Sequence, residues 1–510
     1  MSNRLCSSLI TASLLAGWCL PVGAQDALSR IEATAAPAPT APAASTALTL
    51  DECVQRALQH GFDIEIQHFN TSLAKDSVDI ARGAFDPTLS LNGTQSHSNT
   101  GPIAGNLGIK NDARDARFSG NELLSTGTTV NISTDLNRSK VDPYVPNFNS
   151  FYNPIYNSDL TLTVTQPLLR GAGTAVTTAT LNRAKIGQTR AGFDFQAQAL
   201  NIIQQAETNY YNLAYTREQL RVYRVSLDLA NKLLEEADAK KTVGTATDVD
   251  VLQAKVGVAN ARSNVISAEK SVKDASDALL ALIGRFELDS ILGEVRFDDY
   301  SAQLPVIESS YQLALHHQPD YISAKMQLDQ MKLDLLVAKN ALKPTVNVDG
   351  ILGFNGSRGS STDAFNSMGN RDNNSWEVDL SVSYPWGRVS DKARYRQSLS
   401  ILSQQTLVIR QLEQSILVQV RSAVNAVETN SEKVKIAALA AEFSGKEYDL
   451  ENARFSAGLV TSRDVLQTQS DLETARVAEL QARITLQISI STLHRLEGSS
   501  LERYHVTLPD

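Results

Sequence analysis

Residues 243–253 read VGTATDVDVLQ, and residues 457–467 read AGLVTSRDVLQ. In each stretch a glycine, Gly244 or Gly458, stands six residues before the aspartate of a Val-Leu-Gln run, Asp250 or Asp464. The likeness continues downstream at the same offset of 214, through Ala261/Ala475, Arg262/Arg476 and Ala268/Ala482. Upstream, LTVTQP ending at Pro167 answers LSVSYP ending at Pro385 at offset 218, and PTLSLNG from Pro87 answers PTVNVDG from Pro344 at offset 257. The same offset of 257 relates ALQHGFDI (57–64) to ALHHQPDY (314–321), Lys75 to Lys332, Ala81 to Ala338 and Ala84 to Ala341. Order and spacing survive through every block, so the chain is a tandem duplication whose length differences lie in loops, chiefly residues 98–158.

Each half follows one plan: a helical segment (49–84, then 307–341), a strand, a polar loop, a second strand and two very long helices. The first repeat is 49–306, with a β-hairpin at 87–167 around a long loop, long helices at 180–284 and a connector at 285–306. The second is 307–498, with a hairpin at 344–386 and long helices at 388–498, followed by a tail at 499–510.

The helices carry heptads. Val251, Val258, Val265, Val272 and Leu279 recur every seven residues, with Ala254, Ala261, Ala268, Ala275 and Leu282 three places later. Ala206, Leu213, Leu220, Leu227 and Leu234 do the same in the preceding helix, and Val420, Val427, Val434, Ala441 and Tyr448, then Val465, Leu472, Leu486 and Leu493, in the second half. A sustained seven-residue apolar period marks coiled-coil helices, and alanine in the seam lets neighbours approach closely. A helix over 180–242 spans roughly 90 Å at 1.5 Å per residue. Joined at Gly244 and Gly458, the antiparallel pairs form two long hairpins whose tips lie far from the strands.

The strands alternate. Leu160, Leu162 and Val164 are separated by threonines, Val378, Leu380 and Val382 by Asp379 and Ser381, and Val346 and Val348 by Asn347. A period of two sets one face in apolar surroundings and the other in water, which describes a half-buried soluble strand or a barrel strand between lipid and a polar lumen. Four clear strands, or six if TTVNIST from Thr128 is counted with a partner, are too few to close a membrane barrel, which begins at about 8. An unpaired edge in hydrocarbon is costly, so several copies must share one barrel.

Composition narrows the function. The 510 residues carry 47 basic and 56 acidic side chains, a net charge of −9, and no basic block to follow a phosphate backbone, so nucleic acid is excluded as a partner. Residues 1–24 have the form of a secretory signal peptide, with Arg4, the apolar run LITASLLAGWCL and small residues before Gln25. Trp18 before Cys19 argues against a lipoprotein signal. Removing the leader leaves Cys53 as the single cysteine, so this exported chain is stable without an internal disulfide. Residues 25–48 form a Pro/Ala-rich linker.

With the opening LTLDECVQRAL, the Pro-led strand, LTLTVTQPLLRGAG and the glycine-to-DVL hairpin, the last present twice, the chain resembles the TolC-like outer-membrane efflux and secretion channels over residues 49–498. The resemblance implies a mixed α/β membrane protein: a homotrimer with a 12-stranded transmembrane β-barrel in the outer membrane of a Gram-negative bacterium, continued by a long α-helical coiled-coil barrel through the periplasm. It implies a passive exit duct of a tripartite efflux or type I secretion system, with a periplasmic adaptor, an inner-membrane transporter and outer-membrane lipid as partners. The adaptor-binding tips map to Val243, Gly244, Thr245, Ala246 and Thr247, and to Ala457, Gly458, Leu459, Val460, Thr461 and Ser462. The pore constriction maps to Asp464, Asp250 and Gln467. Phe455 and Val460 replace a Tyr and an Arg that latch the tip in the best-known member, and Gln467 replaces an acidic residue. Asp250 and Asp464 also suit the first turn of a helix, where negative charge meets the positive end of the dipole, and both readings stand. Tyr384 and Trp386 suit a membrane-interface belt or a cover for the strand-to-helix junction.

Other chemistry is set aside. GAGTAV from Gly171 lacks the third glycine of a dinucleotide turn, the seven histidines include no H-E-x-x-H, and no G-x-S-x-G appears. No enzyme, metal or cofactor is expected. A structural coiled-coil or adhesin-like surface protein is the alternative, and duplicated strands of membrane length count against it.

Overall fold

The computed structural model describes residues 48–101, 109–142, 152–283, 305–369 and 373–506. The leader, the linker as far as residue 47, residues 284–304 of the connector and the end of the tail lie outside the described residues, as do Tyr144, Phe148 and Phe151 of the long loop.

Each short helical segment is made of two helices. α1 (Leu50–His60) and α2 (Phe62–Arg82) part at Gly61, whose N–H caps the Ala57 carbonyl at 3.0 Å. α6 (Ile307–His317) and α7 (Pro319–Asn340) part at Gln318, whose N–H caps Ala314 at 2.9 Å. Pro319 holds Gln318 in extended backbone, and the proline opens the next helix. The breaks are 257 residues apart, and Ala57 and Ala314, one above each, are both fully buried. His60 and His317 end equivalent helices, where a basic side chain suits the dipole.

The strands form one antiparallel sheet in chain order: β1 (Thr88–Thr100), β2 (Ile109–Leu123), β3 (Thr129–Asp142), β4 (Ile155–Pro167), β5 (Thr345–Arg358) and β6 (Asn374–Ser383). The first half therefore supplies two hairpins: of the two counts the sequence left open the larger holds, TTVNIST from Thr129 on is part of β3, and the sheet has six strands where a twelve-stranded trimer needs four per chain. The sequence signal for β2 is faint because IKNDARDARFSGNEL puts charges on both faces toward its outer end. A short helix, α8 (Ser361–Met368), lies in the connection between β5 and β6 and packs on β5 and β4.

Register sorts the two faces. Leu89 lies opposite Gly120, Gly120 opposite Ile132, Ile132 opposite Leu162, Leu162 opposite Leu352 and Leu352 opposite Trp376, an apolar row across all the strands, with Leu91 and Phe118 paired beside it on the same face. Gly93, Ala116, Leu136, Phe354, Val378 and Leu380 extend that face along the strands. The row is exposed: Leu352 is 49 % and Trp376 75 % accessible, and Leu91 beside it 78 %. Above it the same face turns charged, with Arg114 opposite Arg138 and Asp112 opposite Lys140. The other face is mainly Ser, Thr, Asn and Asp, interrupted by Arg117, Ile351 and Glu377, and pairs Asp135 with Asp159 and Asp349 with Asp379. Like charges directly opposite destabilise a sheet unless water screens them, so this face is the wet one.

Two long helical hairpins complete the chain. After the short α3 (Thr174–Thr177), α4 (Ala179–Thr242) has 64 residues and returns as α5 (Asp248–Leu282). α9 (Val389–Ser456) has 68 residues and returns as α10 (Ser462–Glu497), which is followed by the short α11 (Ser499–Arg503). At 1.5 Å per residue α4 and α9 are each about 100 Å long. Beside the sheet the helices run α2, α4, α7, α9; toward the tips α4 packs on both α5 and α10, and α10 on α9.

The heptads hold where one seam suffices: Val251, Ala254, Ala261, Val265, Ala268 and Leu279 are buried in α5. In α4 the expected stripe shifts. Ser226, Ala230, Leu233 and Ala237 are buried while Leu220, Leu227 and Leu234 are only half-buried. α4 serves two neighbours, with Leu233 joining Tyr448, Val465 and Leu472 on one side and Leu234 meeting Val251 and Ala254 on the other. One heptad register describes a single seam. Among the described residues no helix is long and apolar enough to cross a membrane.

Candidate functional site

Both tips are built the same way. α4 ends at Val243 with Gly244 at φ 81°, and the N–H of Thr245 reaches the Lys240 carbonyl at 2.9 Å while that of Gly244 reaches Lys241 at 3.0 Å. α9 ends at Ala457 with Gly458 at φ 77°; Leu459 reaches Arg454 at 2.9 Å and Gly458 reaches Phe455 at 2.9 Å. This double bond around a left-handed residue closes a helix and favours glycine at the turn.

The return helices open on threonines. The Asp250 carboxylate accepts from the Thr247 N–H at 2.8 Å and its hydroxyl at 2.7 Å, and Asp464 accepts from Thr461 at 2.9 and 2.7 Å. These are capping boxes. The Thr247 hydroxyl, with its backbone N–H next, holds the Asp250 carboxyl below the usual carboxylate range. For Asp464 the Thr461 N–H, then its hydroxyl, does the same. The helix-start reading of both aspartates is therefore met locally, and both remain ionised at neutral pH.

The exposed points are Val243, 76 % accessible, and Leu459, 71 %. Ala246 and Val460 are half-buried, and Val460 packs against the cluster of Leu233, Tyr448, Phe455 and Val465. Ser462 is buried, and its hydroxyl donates to the Asp250 carbonyl at 3.2 Å, joining one hairpin to the other. Gln467 is exposed and donates to Asp471 one turn on at 3.0 Å.

A second tie between the hairpins escaped the sequence. Lys240 Nζ lies 3.6 Å from the centroid of the Phe455 ring and donates to the Phe455 carbonyl. The sequence offers no sign that a lysine 215 residues earlier occupies the face of Phe455, which only three dimensions show. Higher up, Gln469 donates to the Ser226 carbonyl at 2.7 Å, and Asn264 to Glu473 at 3.1 Å.

At the other end, Trp386 is 97 % exposed just past β6, and the Arg388 guanidinium lies 4.4 Å from the Tyr384 ring centroid. Tyr384 thus stacks with Arg388 at the strand-to-helix corner and stays about half exposed, while Trp386 projects from it. The GAGTAV stretch is the equivalent corner in the first half, where Asn340 accepts from the Gly171 N–H at 2.8 Å and donates to Leu169 at 3.2 Å. No cluster of metal-ligating side chains occurs among the described residues.

Two apolar hairpins, duplicated and hung from a sheet with one lipid-compatible face, match a known family. The family described as outer membrane efflux protein matches residues 53–285 and 310–499. The chain belongs to this family of outer-membrane channel proteins. It is 25 % identical over 312 residues to the pyoverdine export outer membrane protein OpmQ of Pseudomonas aeruginosa, covering 60 % of this chain and 63 % of OpmQ. It is 25 % identical over 199 residues to the alkaline protease secretion protein AprF of the same organism, covering 38 % of this chain and 40 % of AprF. The chain thus aligns with less than two thirds of either relative's length. The outer-membrane channel OprN shares the fold, with a TM-score of 0.66 at 16 % identity over 88 % of this chain and 89 % of that one. The family places the chain in the outer membrane, with a periplasmic portion.

Proposed function

We propose that the chain assembles as a homotrimer and serves as the outer-membrane duct of a tripartite efflux or type I secretion system, a passive exit for substrates that an inner-membrane transporter delivers through a periplasmic adaptor. The observation that carries this reading is the state of the chain's two lateral edges. β1 is exposed throughout, and α2 beside it presents Phe62, Ile66, Phe69, Leu73 and Ile80, each at least 60 % accessible. At the opposite edge β6 is exposed over nearly its whole length, and α9 presents Val418, Ile436, Leu439, Phe443 and Leu450, all at least 51 % accessible. Two complementary apolar edges of one chain, one at each side, fit a head-to-tail ring of copies.

In that ring the tips gather at the periplasmic end. Val243 and Leu459 are the apolar points offered to the adaptor, and Asp464, Asp250 and Gln467 line the narrowing, where repeated carboxylates favour cations. The Lys240–Phe455 contact replaces the latch that Phe455 and Val460 lack. The duct carries no catalytic machinery of its own. OpmQ exports pyoverdine and AprF serves alkaline protease secretion, so cargo identity rests with the transporter rather than with the duct.

Leu459→Asp tests the tips, since it leaves Gly458 and the helix ends unchanged. We expect export, read in cells as cargo in the medium, to fall at least tenfold while trimers still reach the outer membrane. Export at the parental level would remove the tips from the adaptor interface.

A further inference from the structure

The four upper helices and the six strands of this chain cover the same width of wall, and that equality has a functional meaning. Helices packed side by side stand about 9 Å apart, so α2, α4, α7 and α9 span about 36 Å of arc. Strands spaced about 4.8 Å and tilted about 40° each occupy about 6.3 Å of circumference, so six cover about 38 Å and four only about 25 Å. At the same tilt a chain with four strands covers less of the wall than its helices, and only a steeper tilt makes up the difference. This one has no such mismatch.

The extra width comes from β2 and β3, and three observations put them in the barrel wall rather than inside it. First, pairing is continuous: β1 meets β2 from Thr88–Asn121 to Thr100–Ile109, β2 meets β3 over its length, and β3 meets β4 from Thr129–Thr165 to Ser139–Ile155. Second, Phe118, Val130, Ile132 and Leu136 continue the apolar row of the flanking strands, whereas a hairpin folded into the lumen would need polar residues on both faces. Third, the turn between β2 and β3 is seated on the strand-to-helix corner. The Gly173 N–H donates to the Thr126 carbonyl at 3.1 Å, and Gly127, at φ 93°, approaches so closely that a Cβ there would stand 2.5 Å from the Gly171 carbonyl oxygen. The hairpin fills the place in the wall between α2 and α4, where no helix feeds a strand.

We propose that β6 of each copy pairs with β1 of the next and that three copies close a barrel of eighteen strands, six from each. Its backbone diameter is about 36 Å, against about 24 Å for twelve strands. The outer-membrane section then continues the helical tunnel at undiminished width, and size selection of cargo is left to the periplasmic tips. The proposal rests on the trimeric duct above, and the test separates the two.

Full-length protein in lipid nanodiscs is weighed by native mass spectrometry, and spin labels are placed singly at Phe118→Cys, Ile132→Cys and Ser119→Cys, buried Cys53 staying unlabelled. The expected result is a three-copy mass, with the labels at 118 and 132 relaxed by oxygen dissolved in lipid and the label at 119 by a water-soluble nickel complex. Three copies with all three labels open to the nickel complex would overturn the eighteen-stranded wall and leave the trimeric duct intact. Two copies, which would close twelve strands, would overturn both. Cross-sections of the unsubstituted particle by electron cryo-microscopy count the strands directly, so failure of a labelled variant to fold leaves the decision open to measurement. In a planar bilayer, neutral polymers about 1.5-fold larger in radius should enter from the extracellular side than enter a variant lacking residues 109–142; equal exclusion limits would count against the wider bore.

Discussion

In α4, Phe195, Ile202, Ala206 and Leu213 are buried; in α9, the residues 214 places later, Ile409, Ile416, Val420 and Val427, are buried too. In the sheet, by contrast, the first half contributes four strands and the second two. Helices and strands respond differently to insertion. Residues added to a long coiled-coil helix rotate every later seam position away from its neighbour. A hairpin added to an antiparallel meander restores strand direction and face after two strands, so nothing downstream moves. Duplication is therefore kept closely in the helices and loosely in the sheet.

The sharpest way to break the equivalence of the helical halves is at Ile202 and Ile416, each 1 % exposed in its own apolar cluster. Ile202→Ala and Ile416→Ala should each cost about 2–5 kcal/mol, and because the sites share no partners the double variant should lose nearly their sum. Denaturant midpoints of the detergent-solubilised protein check this. A cost at one site several times that at the other would show that only one repeat bears the packing at the waist.

A smaller effect is expected where the repeats diverge in chemistry. Cys53 is fully buried, and position 310, its equivalent 257 residues on, is a serine that is 3 % exposed. Burial, far more than any neighbouring charge, pushes the Cys53 thiol up to about 12. Raising the folded value above that of the unfolded chain favours the native state below about pH 9 and withdraws that contribution as pH rises toward 12. At pH 8 the thiol should resist iodoacetamide until the protein unfolds. Cys53→Ser should cost about 1–3 kcal/mol, the penalty of a buried hydroxyl in a pocket shaped for sulfur, whereas Ser310→Cys should be nearly neutral. Equal losses in the two directions would mean the pockets are interchangeable.

What the sequence disclosed follows the same division. The hairpin tips were readable because Gly244 and Gly458 sit at fixed distances from Asp250 and Asp464, and local hydrogen bonding sets that spacing. The position of the break at Gln318 is harder to read although Pro319 announces it, because the apolar pattern runs on across it. β2 stayed hidden: its apolar residues on the lipid side are Ala116 and Phe118, flanked by Arg114 and Gly120, too short an alternation to stand out. The α4 register slipped because two seams share one helix, and Lys240 meets Phe455 only through the fold. Local periodicity survives in a sequence; a partner supplied by another element does not.

The last comparison is between the two aspartates, whose capping geometry is alike to within a few tenths of an ångström in their bonds to Thr247 and Thr461. Both carboxyls are depressed, so whatever they contribute to tip order is present above about pH 4 and lost as pH falls through their lowered folded values. Capping and pore charge can be separated by chemistry. Asn at either position still accepts from the threonine and keeps the cap but removes the charge; Ala removes both. With reversal potentials measured at pH 7, Asp464→Asn should lower cation selectivity several-fold if three copies face one another across the narrowing, and Asp464→Ala should do no more. Asp250→Asn should change selectivity less, since Asp250 is half-buried while Asp464 is exposed. If only the Ala variants alter conductance, the charge is incidental and both residues serve the helix ends alone; if both Asn variants act equally, the two hairpins of each chain share the constriction and the duplication extends to the gate.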